Sequence, residues 1–198
     1  NRHRGRCYER QIGFASLVQL LADAQAVHGQ SAHRTFQQAQ DDGELQASIK
    51  AAYDKVARTP IAVSTALLTE GTQRLRELLP ASFVEDVPAS LAAFTPLAFD
   101  GKKIKKVAKR LQAVRRVRGQ VLGGKLLVAE DVRTGLAVAM AADPDGEAAD
   151  LTLVPALLAK TRAVVAGERL WIGDRIFCNL IHLPMLAADG DHLVVRYH

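Results

Sequence analysis

The sequence predicts an α/β protein: a mixed sheet in the element order β-β-β-α-β-α-β, preceded by a small all-helical domain. Three observations predict it. Up to about residue 80, apolar residues recur at helical spacing. Beyond about residue 90 the texture changes to short apolar runs separated by turn signals. Finally, the apolar run Leu170-Trp171-Ile172 ends on Gly173-Asp174 and is followed at once by a second apolar stretch, the pattern of a buried strand feeding a helix.

The helical part comes first. Phe14, Leu17, Val18, Leu21 and Ala24 share one helical face, with Gly29 as a stop. Ser31 is placed to cap a short helix that runs to Gln40, and Asp41-Asp42-Gly43 reads as a turn. Leu45, Ile49, Ala52 and Val56 mark a third helix. Thr59-Pro60 supplies a cap followed by proline at the first helical position, opening a fourth helix towards Leu79. Pro80 and Pro88 bracket a connection. The domains therefore read as 1–90 and 91–198.

In the second part, residues 95–99 form a strand, and Asp100-Gly101 reads as the turn that ends it. Two apolar runs, 125–130 and 136–142, flank Asp131-Val-Arg-Thr-Gly135 as a β-hairpin. After the turn Asp143-Pro-Asp-Gly146, Leu151, Val154, Leu157 and Leu158 mark a helix over 149–164. A strand at 169–174, a helix at 178–188, the turn Asp189-Gly-Asp191 and a strand at 192–196 complete the order. Three strands able to pair as a meander, then alternating helices and strands, make the ribonuclease-H-like arrangement.

Composition excludes several classes. The apolar content of 48% supports a real core, so disorder is not expected for most of the 198 residues. The two cysteines, Cys7 and Cys178, lack metal or disulfide spacing and read as reduced thiols in a cytosolic protein. The longest uncharged runs, 87–99 and 176–188, contain 13 residues each and carry Pro or His, so neither spans a bilayer. Ser16, Ser31 and Ser90 lack a nucleophile-elbow context, and the histidines form no pair at metal-binding spacing. Met140 and Trp171 read as core. The chain starts at Asn1 without Met, carries no signal peptide, and stops at His198 directly after a strand-like run; it reads as a fragment.

Charge is concentrated. The net charge is +5, yet residues 101–120 alone hold Lys102, Lys103, Lys105, Lys106, Lys109, Arg110, Arg115, Arg116 and Arg118 with no acid. The remaining residues are therefore net acidic. Ile104, Val107, Leu111 and Val114 fall at helical spacing within this tract, so a solvated cationic face is one reading. The absence of acids favours contact with a polyanion such as double-stranded DNA. Such contacts give affinity and salt sensitivity without sequence readout.

Two carboxylates follow apolar strands. Asp174 ends the strand at 169–173, where α/β sheets place ligands and metals. Asp100 follows the strand at 95–99. On the first and fourth strands of a ribonuclease-H-like sheet they would face each other, and a cation would offset their repulsion. Such oxygen ligands suit Mg²⁺ or Mn²⁺, and paired metals stabilise both oxygens of an in-line displacement at phosphorus. Each has a plainer reading: Asp174 as a helix N-cap, Asp100 as part of an Asp-Gly turn. Arg175, directly after Asp174, could hold a phosphate bidentately or pair with a nearby acid. Glu147 and Asp150 sit on the turn into a helix and read as turn residues.

The segments Ala98-Phe-Asp100-Gly-Lys-Lys and Trp171-Ile-Gly-Asp174-Arg-Ile-Phe177 resemble the first and second aspartate motifs of bacterial insertion-sequence DDE transposases of the IS-four type. Gly123-Gly-Lys-Leu-Leu-Val-Ala and Thr134-Gly-Leu-Ala-Val-Ala-Met are similar to the hairpin between those motifs, and Tyr8-Glu-Arg with Phe14 and Leu17-Val18 to the start of the leading helical domain. The resemblance implies a catalytic core that cuts transposon-end DNA and joins the 3′-hydroxyl to a target. Asp100 and Asp174 would be two of three Mg²⁺ (or Mn²⁺) ligands. The helical domain would serve DNA binding or assembly, with self-association on DNA, in a bacterial cytoplasm at the nucleoid. The third ligand, a Glu in a Tyr-Arg-Glu-Lys type motif, has no counterpart in these 198 residues, so this chain alone is expected to be catalytically incomplete. The rival expectations are a non-catalytic DNA-binding transposase remnant and a structure-specific nuclease with the same metal site.

Overall fold

The computed structural model describes residues 11–27, 29, 31–105 and 122–196. The chain divides into two compact units, Asn1–Val63 and Ser64–His198. The first contains α1 (Phe14–Ala26), α2 (Ala32–Asp41), α3 (Ile49–Arg58) and the start of α4 (Ile61–Leu78). The Ser31 hydroxyl accepts from the Arg34 amide (3.4 Å) and the Ser48 hydroxyl from the Ala51 amide (3.1 Å), capping α2 and α3. That second cap starts the third helix at Ile49 rather than at Leu45. Leu45 instead anchors the preceding loop: it is buried, and its amide donates to Ala39 (2.8 Å). The core gathers Leu17, Leu20, Phe36, Leu45 and Ala52, with Phe36 meeting Tyr53 edge-on at 5.2 Å between centroids.

Helical periodicity gives way to strand texture near residue 90, but the units divide inside α4. The second half of that helix is tied to the hairpin of the second unit. Thr72 Oγ1 donates to the Ala137 carbonyl (2.6 Å), and Arg76 pairs at 2.7 Å with the buried carboxylate of Asp131. The other oxygen of Asp131 accepts from the Arg133 amide at 3.0 Å, so no buried acceptor is left unpaired there.

The second unit is built on a five-stranded mixed sheet: β1 (Thr95–Lys105), β2 (Leu122–Asp131), β3 (Leu136–Asp143), β4 (Arg169–Gly173) and β5 (His192–Val195). Their spatial order is β3-β2-β1-β4-β5, with β1 antiparallel to β2, β2 antiparallel to β3, and β4 parallel to both β1 and β5. The helix α5 (Asp150–Val164) connects β3 to β4, and the single-turn α6 (Leu183–Leu186) connects β4 to β5. Leu97, Phe99, Leu127, Leu157, Trp171, Phe177 and Leu186 join one buried cluster. Trp171 and Met140 are core residues, and no helix among the described residues is long and apolar enough to cross a membrane.

Three local expectations are corrected. Asp100-Gly101 is not a turn: β1 runs through it to Lys105, with Asp100 opposite Val128 and Gly101 opposite Leu127. Continued pairing gives backbone hydrogen bonds that a turn there would forgo. Ile104 consequently lies in a strand, opposite Gly124, and not on a helix; residues 106–121, which hold the rest of the basic tract, lie outside the described residues. The helix expected over 178–188 shrinks to Leu183–Leu186. Pro184 cannot donate an amide hydrogen bond, and its ring would clash with the carbonyl four residues earlier, so helix forms only with proline in its first turn.

The near ends of β4 and β5 are held by a buried carboxylate. Asp191 accepts from Arg169 Nε (2.7 Å), Arg162 Nε (3.0 Å) and Trp171 Nε1 (2.9 Å). Arg169 also donates to the Val165 carbonyl (2.7 Å), and Arg162 to those of Met185 (2.8 Å) and Ala188 (3.1 Å). Charge and hydrogen-bond capacity are satisfied together, as a buried ion group requires. These contacts orient β4, and through it the residue that follows its far end.

Candidate active site

Asp174 sits immediately beyond β4 with extended backbone (φ −76°, ψ 179°). Its Oδ1 accepts from the Ile176 amide at 3.0 Å, capping the 3₁₀ turn Arg175–Phe177. The capping role is thus real, but it uses one oxygen. Asp100 is exposed on β1, and its Oδ1 accepts from the Gly101 amide at 2.8 Å. In both residues a neighbouring amide fixes the carboxylate through Oδ1, while Oδ2 has no protein partner among the described residues.

The parallel β1–β4 pairing ends with Ala98 opposite Ile172; carried two residues further, that register would set Asp100 opposite Asp174. Neighbouring strands are about 4.8 Å apart. Gly173 fixes which face they share. A Cβ on Gly173 would lie 2.8 Å from the Phe99 ring and 3.1 Å from Phe177, so residue 173 looks into the core beside Phe99. Alternation then turns Asp174 to the opposite face, the face of Asp100. Glycine is needed at 173 because the Phe99 and Phe177 rings, 4.3 Å apart at their centroids, occupy the space.

Alternation also sorts the basic tract. Lys102 shares the face of Asp100, is exposed, and has no ion pair among the described residues. Lys103 shares the face of Gly101 and pairs with Glu147 at 3.5 Å. On that same side Lys125, opposite Lys103 in β2, is buried and pairs with Asp150 at 2.7 Å. The Asp150 carboxylate lies directly over Gly101, where a Cβ would come within 1.9 Å of Oδ1. Lys105 is the last residue of β1. Lys106, Lys109, Arg110, Arg115, Arg116 and Arg118 lie outside the described residues. Arg175 is exposed and has no ion pair among the described residues.

Sequence reasoning missed Gly101 and Gly173 as space-makers, together with the Lys125–Asp150 pair that the first accommodates. The signal was present in the two motifs, each an Asp beside a Gly. Gly101 reads from the sequence as part of a turn and Gly173 as a strand residue, and neither has a positive φ.

Two exposed carboxylates on one face supply hard oxygen donors suited to Mg²⁺ or Mn²⁺. Among the described residues no group of three or more His, Cys, Asp or Glu side chains could hold a metal ion. Elsewhere in the unit, burial lowers the Lys160 ammonium below its ordinary value of 10.5; Lys160 Nζ donates to the Met140 carbonyl at 3.0 Å. Comparison with protein-family models, with curated proteins and with solved structures finds no match.

Proposed function

We propose that this chain is part of a metal-dependent DNA transposase of the DDE type, with a ribonuclease-H-like core behind a helical domain. The reading is supported by the β1–β4 register, which, carried two residues past Ala98 and Ile172, would set Asp100 and Asp174 side by side on one face. They lie just past the point where β1 and β4 stop pairing, in a sheet of order β3-β2-β1-β4-β5. Each carboxylate keeps one oxygen fixed by a backbone amide and the other free for a cation. In this reading Asp100 and Asp174 hold Mg²⁺ or Mn²⁺, which supplies electrostatic stabilisation of charge developing at phosphorus. The third ligand, the family's Glu, is not among the described residues around the pair. Lys102 and the tract from Lys105 to Arg118, together with Arg175, supply phosphate contacts to double-stranded DNA. The protein works in the bacterial cytoplasm and self-associates on transposon ends.

The test is cleavage. In the full-length protein, Asp100→Asn and Asp174→Asn each abolish Mg²⁺-dependent cutting of transposon-end DNA and joining of supplied 3′-hydroxyl ends. Retained cutting in either variant sinks the assignment; cutting without joining reassigns the protein as a nuclease.

A further inference from the structure

We propose that Lys102, rather than its neighbour Lys103, grips the substrate phosphate held by the carboxylate pair, and that Lys103 is structural. This deepens the reading above and rests on it. β1 is continuous from Thr95 to Lys105, so residues 100 and 102 project from one face and residues 101 and 103 from the other. The step between same-face residues along a strand is about 6.8 Å, within reach of a lysine side chain from a phosphate lying on Asp100. Lys102 is exposed, and no acid among the described residues pairs with it. Two described acids near this end of β1 are committed on the opposite face: Glu147 to Lys103 at 3.5 Å, and Asp150 to the buried Lys125 at 2.7 Å.

The sequence presents Lys102 and Lys103 as equivalent; the strand makes them unlike. Without Lys102 the face of Asp100 would offer a phosphodiester carboxylates and, from residues 95–104 of β1, no cation. With it, negative charge brought by the substrate meets a flexible ammonium that neither distorts the pair nor competes for its oxygens. The ligand class is a nucleic-acid phosphodiester seated across Asp100, Asp174 and a divalent cation.

The test uses the whole chain and a fluorescently labelled duplex oligonucleotide, titrated in Ca²⁺ and again in EDTA across a range of salt. Wild type binds more tightly in Ca²⁺ than in EDTA. Lys102→Gln weakens binding in Ca²⁺ about tenfold, lowers the salt slope by about one, and has a smaller effect in EDTA. Lys103→Gln leaves affinity within about twofold in both buffers, the expected result for a side chain already paired on the other face. Equal losses for the two variants, or an equal loss for Lys102→Gln in both buffers, overturn the inference. Asp100→Asn with Asp174→Asn tests the underlying reading separately. If the double variant keeps the full Ca²⁺ enhancement, the metal pair is wrong whatever Lys102 does. If it loses the enhancement while Lys102→Gln is silent, the pair stands and only the lysine assignment falls.

Discussion

Replacing Gly101 by alanine is the sharpest test of how the first aspartate motif is built. At an ordinary glycine with normal φ, alanine stabilises by about 0.4–1 kcal/mol because it restricts the unfolded chain. Gly101 has no positive φ, so the backbone does not object and space alone decides the sign. The new Cβ would lie 1.9 Å from Oδ1 and 2.5 Å from Cγ of Asp150. The carboxylate must therefore swing away from Lys125, its partner at 2.7 Å, whose side chain is only 6% exposed. Overpacking costs about 1–3 kcal/mol, and stranding a buried ammonium costs about 3–5 kcal/mol. Partial movement of Asp150 keeps the cost below the two terms added together, and the entropic gain offsets part of it. The expected loss is about 2–4 kcal/mol. Urea unfolding followed by the fluorescence of Trp171, the single and fully buried tryptophan, measures it. The same substitution in an Asp150→Ala background should cost less than about 0.5 kcal/mol, since the obstacle is gone. A Gly101→Ala protein as stable as wild type, or an equal loss in both backgrounds, refutes the reasoning.

Two further expectations concern the scaffold beneath the site. Asp191→Ala leaves the Arg169 guanidinium and the Trp171 indole without their acceptor and should destabilise by about 3–5 kcal/mol, seen as a lowered Tm; a shift of less than one degree contradicts the role assigned to this carboxylate. Burial lowers Lys160 below 10.5, so between its folded value and 10.5 the unfolded chain binds more protons and stability rises with pH. The penalty is present in full below the folded value and fades towards 10.5. Lys160→Met should remove that rise from a plot of Tm against pH, and an unchanged slope contradicts the assignment.

What was legible in the sequence followed from periodicity. The apolar runs at 125–130, 136–142 and 170–172 and the period of Leu151, Val154 and Leu158 gave the element order, because burial of a face is written in spacing. Ser31 was legible as a cap because its chemistry is local. What escaped depends on distant partners. Asp100-Gly101 looks like a turn until β2 lies alongside, and Gly101 looks flexible until Asp150 is seen over it. Asp131 and Asp191 read as turn residues because their partners, Arg76 and Arg169, are 55 and 22 residues away. The run 178–188 has the apolar content of a helix, but Pro184 confines helix there to Leu183–Leu186. For the site, the motifs singled out both aspartates, while their shared face needed the register and the Phe99–Gly173 contact.

The central claim is that Asp100 and Asp174 act together as cation ligands. Mn²⁺ binding to the purified chain, followed by the loss of the free-ion electron paramagnetic resonance signal with duplex DNA present, tests it most directly. The account predicts saturable binding that Asp100→Asn and Asp174→Asn each weaken by at least about tenfold, with the double variant no worse than the weaker single one. Identical titrations for wild type and both single variants would contradict it.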